Sequence, residues 1–258
     1  MFIRNERSIK EFMSLYPVVS VLVIINITLW AINDLLQLQI GRFIEVYGIG
    51  FNAAIEAGQW WRLITPIFLH GGLMHMLFNS FSLVLFGPAL EQMLGRFKFI
   101  LAYLGTAITA NIAIFFLQPM SYAHLGASGA IFGLFGIYVF MVMYRKDLID
   151  QSSSQMIAVI VGIGLVMTFI RPNISILGHL FGFLSGIIYA PLLLKNVASY
   201  SPWMRRRTKF AADDDAVQFD PNRWRRKKRI PPFIRKNLLW IIIGFLVLLG
   251  ILGRMGIL

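Results

Sequence analysis

From Phe99 to Tyr144 the chain runs for 46 residues without an Asp, Glu, Lys or Arg. About 20 apolar residues suffice to cross the hydrocarbon core as a helix, so this one run is long enough for two crossings, with the turn expected around residues 118–126. Similar charge-free runs mark a first span at 12–33, a second within 63–90, a fifth at 151–170, a sixth at 172–194 and a seventh at 237–253. Lipid offers the backbone no hydrogen-bonding partner, so all of them are expected to be helices. With 57% hydrophobic and only 14% charged residues, the composition is that of an integral membrane protein. The expected fold is therefore all-α, a polytopic membrane helical bundle. It divides into a six-span core over residues 1–195, a basic linker over 196–236 and a seventh transmembrane helix over 237–258. The first apolar run is of span length and no small-residue cleavage site follows it, so a span is expected there and not a cleavable signal.

The net charge of +12 invites a nucleic-acid reading, but its distribution is that of a topology signal. With the N-terminus in the cytoplasm, 20 of the 24 Lys and Arg fall inside and only Arg42, Arg62, Arg171 and Arg254 outside, as the positive-inside rule demands. A plasma (inner) membrane protein with a cytoplasmic N-terminus and an outside C-terminus is expected, without nucleic acid as a partner. Residues 37–62 form a long outside loop ending in 60-WWR-62, a Trp pair suited to the membrane interface. The basic linker suits anionic lipid headgroups. Absence of cysteine excludes disulfides, thiolate metal sites and a cysteine nucleophile.

Spans two, four and six run in the same direction, and each carries polar residues near its outer end. They hold 70-HGGLMHMLFNS-80, Ser128 and 178-GHLFGFLSG-186. Ionisable residues within a membrane are costly and mark functional sites by default. His75 and Asn79, four apart, share a helix face. His70 lies five before His75 and next to Gly71-Gly72, which places it in the segment leading into the helix. Glycines four apart, at 129 and 133 and at 178, 182 and 186, allow two backbones to approach closely. If these faces meet, Ser128 and His179 come within reach of each other. Imidazole can then accept the serine proton, while His75, Asn79 and the backbone at Ser128 supply donors for an oxyanion. No carboxylate lies near His179, so helix packing must orient the ring.

Each residue has a plainer reading. In isolation Ser128 reads most simply as a packing or capping residue, and His179 as one end of an interhelical hydrogen bond. A zinc protease needs two His four apart with Glu after the first; here the spacing is five and Gly71 stands in that place. No cofactor or metal is expected. Asn26, Thr28, Thr106 and Asn111 read as interhelical glue, and His124 as a solvated residue of the loop.

At these positions the sequence resembles the rhomboid family of intramembrane serine proteases. The matching elements occur in the family's order. They are 60-WWR-62, the H-x-x-x-x-H-x-x-x-N pattern of His70, His75 and Asn79, E-x-x-x-G at Glu91 and Gly95, 126-GASG-129, and H-x-x-G-x-x-x-G from His179 to Gly186. The resemblance covers about residues 12 to 195, and the seventh span resembles the variant with one extra C-terminal helix. It implies Ser128 as nucleophile, His179 as general base and then acid, and His75 with Asn79 as oxyanion stabilisers. It also implies structural roles for His70, Arg62 and Glu91, and a half-submerged hairpin before 60-WWR-62. One position departs: some members carry Tyr four after the serine, against the catalytic His, where this chain has Phe132.

The expected function is that of a serine endopeptidase cleaving transmembrane protein substrates near the outer face of the bilayer. A non-proteolytic chaperone on the same fold is the rival reading. A transporter is a third, though the chain lacks duplicated halves and paired interrupted helices. The sequence leaves the oligomeric state open.

Overall fold

Pro17 decides where the first long helix begins. It has no N–H to donate, and its ring disfavours helical geometry in the residue before it. Tyr16 accordingly adopts φ −126° and ψ 65° and separates α1 (Ile9–Leu15) from α2 (Pro17–Trp30). A π-helical turn over Ala31–Leu35 continues α2, so the first apolar segment covers Pro17–Leu35 and not the expected 12–33. The start of α2 is capped from elsewhere in the chain. The buried Glu91 carboxylate accepts the N–H groups of Val18 and Val19 at 3.0 and 2.9 Å, two of the donors that every helix start leaves open.

This computed structural model describes residues 2, 6–171 and 174–201. The expected seventh span, and all but the first residues of the basic linker, lie outside the described residues.

The segment 37–62, expected as a loop, contains two short helices, α3 (Gln39–Gly48) and α4 (Asn52–Glu56), with the two-residue strand β1 (Gly50–Phe51) between them. Two 3-10 turns, Trp60–Leu63 and Thr65–Phe68, lead on towards α5 (Leu73–Leu117). Strand β1 pairs antiparallel with β2 (Ala123–His124), Gly50 opposite His124 and Phe51 opposite Ala123. The Asn52 side-chain amide reinforces the join by donating to the carbonyls of Gln118 and Pro119 at 3.1 and 3.2 Å, at the end of α5 where backbone acceptors are exposed.

At 45 residues α5 would be about 67 Å long if straight, roughly twice the hydrocarbon thickness. It is not straight. Gly95 takes φ 77° and ψ 163° and breaks the helix into two limbs, a conformation open to glycine because it lacks Cβ. The second and third expected spans are thus joined at a single residue. The remaining helices are α6 (Ser128–Tyr144), α7 (Gln151–Ile170) and α8 (Ile176–Leu193). Pro17–Leu35, Leu73–Leu117, Gln151–Ile170 and Ile176–Leu193 are each long and apolar enough to cross a membrane, and α6 is a shorter apolar helix of 17 residues. The chain is a multi-pass membrane protein.

Helix α6 lies at the centre. It packs most extensively against α8 and α5, and Leu134, Ile137, Tyr138 and Met141 are fully enclosed, as expected of a helix apolar on every side. Helix α7 is peripheral, with Val159, Ile163, Val166, Phe169 and Ile170 exposed. The tightest seam joins α6 to α8. A Cβ on Gly182 would collide with the Gly129 carbonyl, one on Gly186 with the Gly133 carbonyl, and one on Gly136 with the Phe183 carbonyl. The expected meeting of the two glycine faces is observed, backbone against backbone.

Candidate active site

The glycine seam brings the start of α6 beside the start of α8. Ser128 is the first residue of α6, following the fully buried Ala127. The turn into the helix passes through Gly126 at φ 126°, whose N–H donates to the Pro66 carbonyl at 2.8 Å. A side chain at 126 would be excluded twice, by the backbone angle and by space. An added Cβ would lie 2.6 Å from His75 Nε2. His75, on the first turn of α5, therefore reaches the loop two residues before Ser128. Among the described residues the N–H groups of Ser128 and Gly129 find no backbone acceptor, which leaves them as donors at the positive end of α6.

His179 sits one turn into α8. The turn is set by the N-cap Ser175, whose hydroxyl accepts from Gly178 N–H at 3.2 Å and whose carbonyl accepts from His179 N–H at 3.1 Å. The imidazole is buried and stacks on Phe132 with ring centroids 4.0 Å apart and 15° between planes. Phe132 lies one turn beyond Ser128. The departure at this position thus keeps the stacking surface while lacking a hydroxyl. His179 Nδ1 lies 2.8 Å from Thr168 Oγ1 on α7, a contact the sequence reading did not anticipate. Among the described residues no hydrogen bond joins Ser128 to His179; with Nδ1 taken by Thr168, Nε2 is the ring nitrogen left open.

Asn79 follows His75 by one turn and is buried. Its Nδ2 donates to the His75 carbonyl at 2.9 Å, which fixes the amide and leaves its second N–H for another acceptor. His70 precedes α5, as expected, and meets His75 edge to face at 5.1 Å. The helix begins only after Gly72, held at φ 87° with its N–H donating to Asp34 Oδ1 at 3.1 Å. Burial pushes the His70 imidazole down to about 3. Four residues from three helices, Ser128, His179, His75 and Asn79, are gathered at one end of the bundle. Among the described residues no group of three or more His, Asp or Glu is arranged to hold a metal ion.

Two neighbouring residues hold the surrounding loops. Arg62 is buried, with Nε bonded to Gln59 Oε1 at 2.7 Å, Nη1 to the Ile49 carbonyl at 2.7 Å and Nη2 to the Val46 carbonyl at 3.0 Å. It ties α3 to the 60-WWR-62 turn. His124 is not the solvated residue expected. Its Nε2 bonds Asn111 Oδ1 at 3.1 Å, its ring stacks on Tyr122, and burial pushes it down to about 4. The cause is the β1–β2 pairing, which folds this loop back onto α5. Asn111 also donates to the Leu63 carbonyl at 2.9 Å, the interhelical role expected of it.

Comparison with known proteins agrees with this picture. The Rhomboid domain model matches residues 57–196. The chain is 44% identical over 195 residues to "Putative rhomboid protease YdcA" of Bacillus subtilis (strain 168), covering 76% of this chain and 97% of that protein. It is 39% identical over 147 residues to "Rhomboid protease GluP" of the same organism, covering 57% of this chain and 29% of the relative. It is 31% identical over 153 residues to "RHOMBOID-like protein 9, chloroplastic" of Arabidopsis thaliana, covering 56% and 33%. With a family domain over more than half its length at the residues that build this site, the chain belongs to the rhomboid family of intramembrane serine proteases.

Proposed function

We propose that Ser128 and His179 form the catalytic dyad of this protease, and that His75, Asn79 and the backbone N–H groups at Ser128 stabilise the oxyanion. Ser128 Oγ attacks the scissile carbonyl carbon of a substrate as its proton passes to His179 Nε2. The carbonyl π electrons move onto oxygen, and the resulting alkoxide is met by donors already in place at the start of α6 and on α5. Collapse of this intermediate breaks the C–N bond, and the imidazolium gives its proton to the departing amine. Water, deprotonated by the same imidazole, then hydrolyses the acyl-serine and restores the hydroxyl.

The substrates are transmembrane proteins. Helical carbonyls are hydrogen-bonded, so a substrate span must unwind locally to offer one, and helix-breaking residues with a small residue at the cut are expected. The core is a six-span bundle over residues 1–195, in which the two limbs of α5 count as separate crossings. Its orientation, from the cation distribution, puts the N-terminus in the cytoplasm, the C-terminus outside and the site in the outer leaflet of the plasma membrane.

The observation that carries the proposal is the contact of α6 with α8 at Gly129 and Gly182, which sets His179 on Phe132, one turn from Ser128. Labelling with an activity-directed fluorophosphonate tests it. The wild-type protein should be labelled and Ser128→Ala should not; a wild-type protein that resists the reagent points to a client-binding protein without proteolysis.

A further inference from the structure

Resting on the dyad reading, we infer that Thr168 is a positioning residue. It holds His179 in the tautomer that carries its proton on Nδ1 and so leaves the Nε2 lone pair free to accept from Ser128.

Thr168 Oγ1 is 2.7 Å from the Gly164 carbonyl and 2.8 Å from His179 Nδ1. A hydroxyl has one proton and two lone pairs. A carbonyl oxygen only accepts, so the Thr168 proton is committed to Gly164. Its lone pair then faces His179, and the contact is a hydrogen bond only if Nδ1 carries a proton. With the proton on Nε2 instead, Thr168 would have to abandon one of its two acceptors, in a place where its side chain is buried and water cannot substitute. Threonine bonded to the carbonyl four residues back is common in membrane helices and by itself means nothing. The second contact, to an imidazole on another helix, is what sets this one apart.

The consequence is chemical. A neutral imidazole can act as a general base only through its bare nitrogen, and which nitrogen is bare depends on what the other one bonds. In soluble serine hydrolases a buried carboxylate makes that choice. Here, among the described residues, no carboxylate acts on His179, and the ring stacked on it, Phe132, has no hydroxyl. Thr168 supplies the missing acceptor at no charge cost. It accepts equally from the Nδ1–H of the imidazolium once Nε2 has taken the serine proton. The same turn of α7 supports the stack, since Gly164 lies against the outer edge of Phe132, where an added Cβ would be 3.3 Å from the ring.

The chain has four histidines, so the full-length protein, 15N-labelled at histidine and held in detergent at pH 8, gives an assignable set of ring nitrogens. Two-bond and three-bond proton–nitrogen correlations then identify the protonated nitrogen of His179. The expected result is Nδ1–H in the wild type and in Thr168→Ser, a shift of the population towards Nε2–H in Thr168→Val, and a loss of about tenfold in kcat for the Val variant, the scale of one hydrogen bond. KM should change little, and Thr168→Ser should restore the rate. A wild-type His179 protonated on Nε2 overturns the inference whatever the variants do. So does a Val variant that keeps the Nδ1–H tautomer, whether its rate is normal or reduced. Ser128→Ala cleaving as well as wild type would instead sink the dyad reading, while the spectrum would still decide what Thr168 does to the ring.

Discussion

The His179 imidazole lies flat on the Phe132 ring at 4.0 Å, so the proposed base is held on one face by the helix that carries the proposed nucleophile. Stacked aromatic pairs are worth about 0.5–1.5 kcal/mol beyond their buried area. Phe132→Leu is therefore expected to lower kcat about 2- to 13-fold with KM nearly unchanged, whereas Phe132→Tyr keeps the stack and the rate. Steady-state kinetics on a fluorogenic transmembrane substrate measures both.

The seam between α6 and α8 has no room for a methyl group. Gly182→Ala places Cβ against the Gly129 carbonyl, and overpacking of this kind costs roughly 1–3 kcal/mol. A lower Tm in detergent is expected, together with weaker fluorophosphonate labelling as the two helix starts separate. Gly162, on the periphery of α7, has nothing within 4 Å of an added Cβ. Gly162→Ala should leave Tm unchanged or raise it.

Glu91 reaches from α5 to the start of α2. Replacing it with Ala strips the half-buried Val18 and the buried Val19 of their acceptor. The cost should be on the order of 1–3 kcal/mol for these donors. Equilibrium unfolding in mixed micelles measures it, and kcat per folded molecule should stay close to wild type because the proposed dyad lies elsewhere.

His124 makes stability depend on pH in a definite direction. Its folded-state value is pushed down to about 4 by burial, against about 6.5 for the unfolded chain. The neutral ring is the one the fold accepts. Its contribution is complete above about pH 6.5 and is lost as pH falls towards 4, by up to about 3 kcal/mol once both states are protonated. His124→Gln keeps a donor for Asn111 Oδ1 but does not titrate. Between pH 7 and 4 the Tm of wild type should fall further than that of the Gln variant.

Within the described residues the long apolar helices were legible because lipid makes a long charge-free run unambiguous, and the α6–α8 contact because glycines four apart permit little else when two such faces share a depth. What escaped the sequence was mostly non-local. Gly95 stood out only through the E-x-x-x-G resemblance; that it breaks α5 is a backbone angle, which residue type alone does not show. Strands β1 and β2 are two residues each, too short for any periodicity, and their pairing is what leaves His124 half-buried. The start of α2 moved because Pro17 and the distant Glu91 together define it. Thr168 is one threonine in an apolar helix, and nothing in residues 151–170 says that it faces an imidazole eleven residues later. The polar residues with the strongest local patterns, His75, Asn79, Ser128 and His179, lie on the opening turns of the helices whose starts meet, α5, α6 and α8.

Cleavage itself tests the central claim most directly. The full chain, purified in detergent, is incubated with a model single-span substrate carrying a helix-breaking residue and a small residue near its outer end, and the products are identified by mass spectrometry. Wild type should produce one defined cut within or at the edge of the span, and Ser128→Ala and His179→Ala should produce none. Equal cleavage by wild type and Ser128→Ala would contradict the assignment of this serine as the nucleophile.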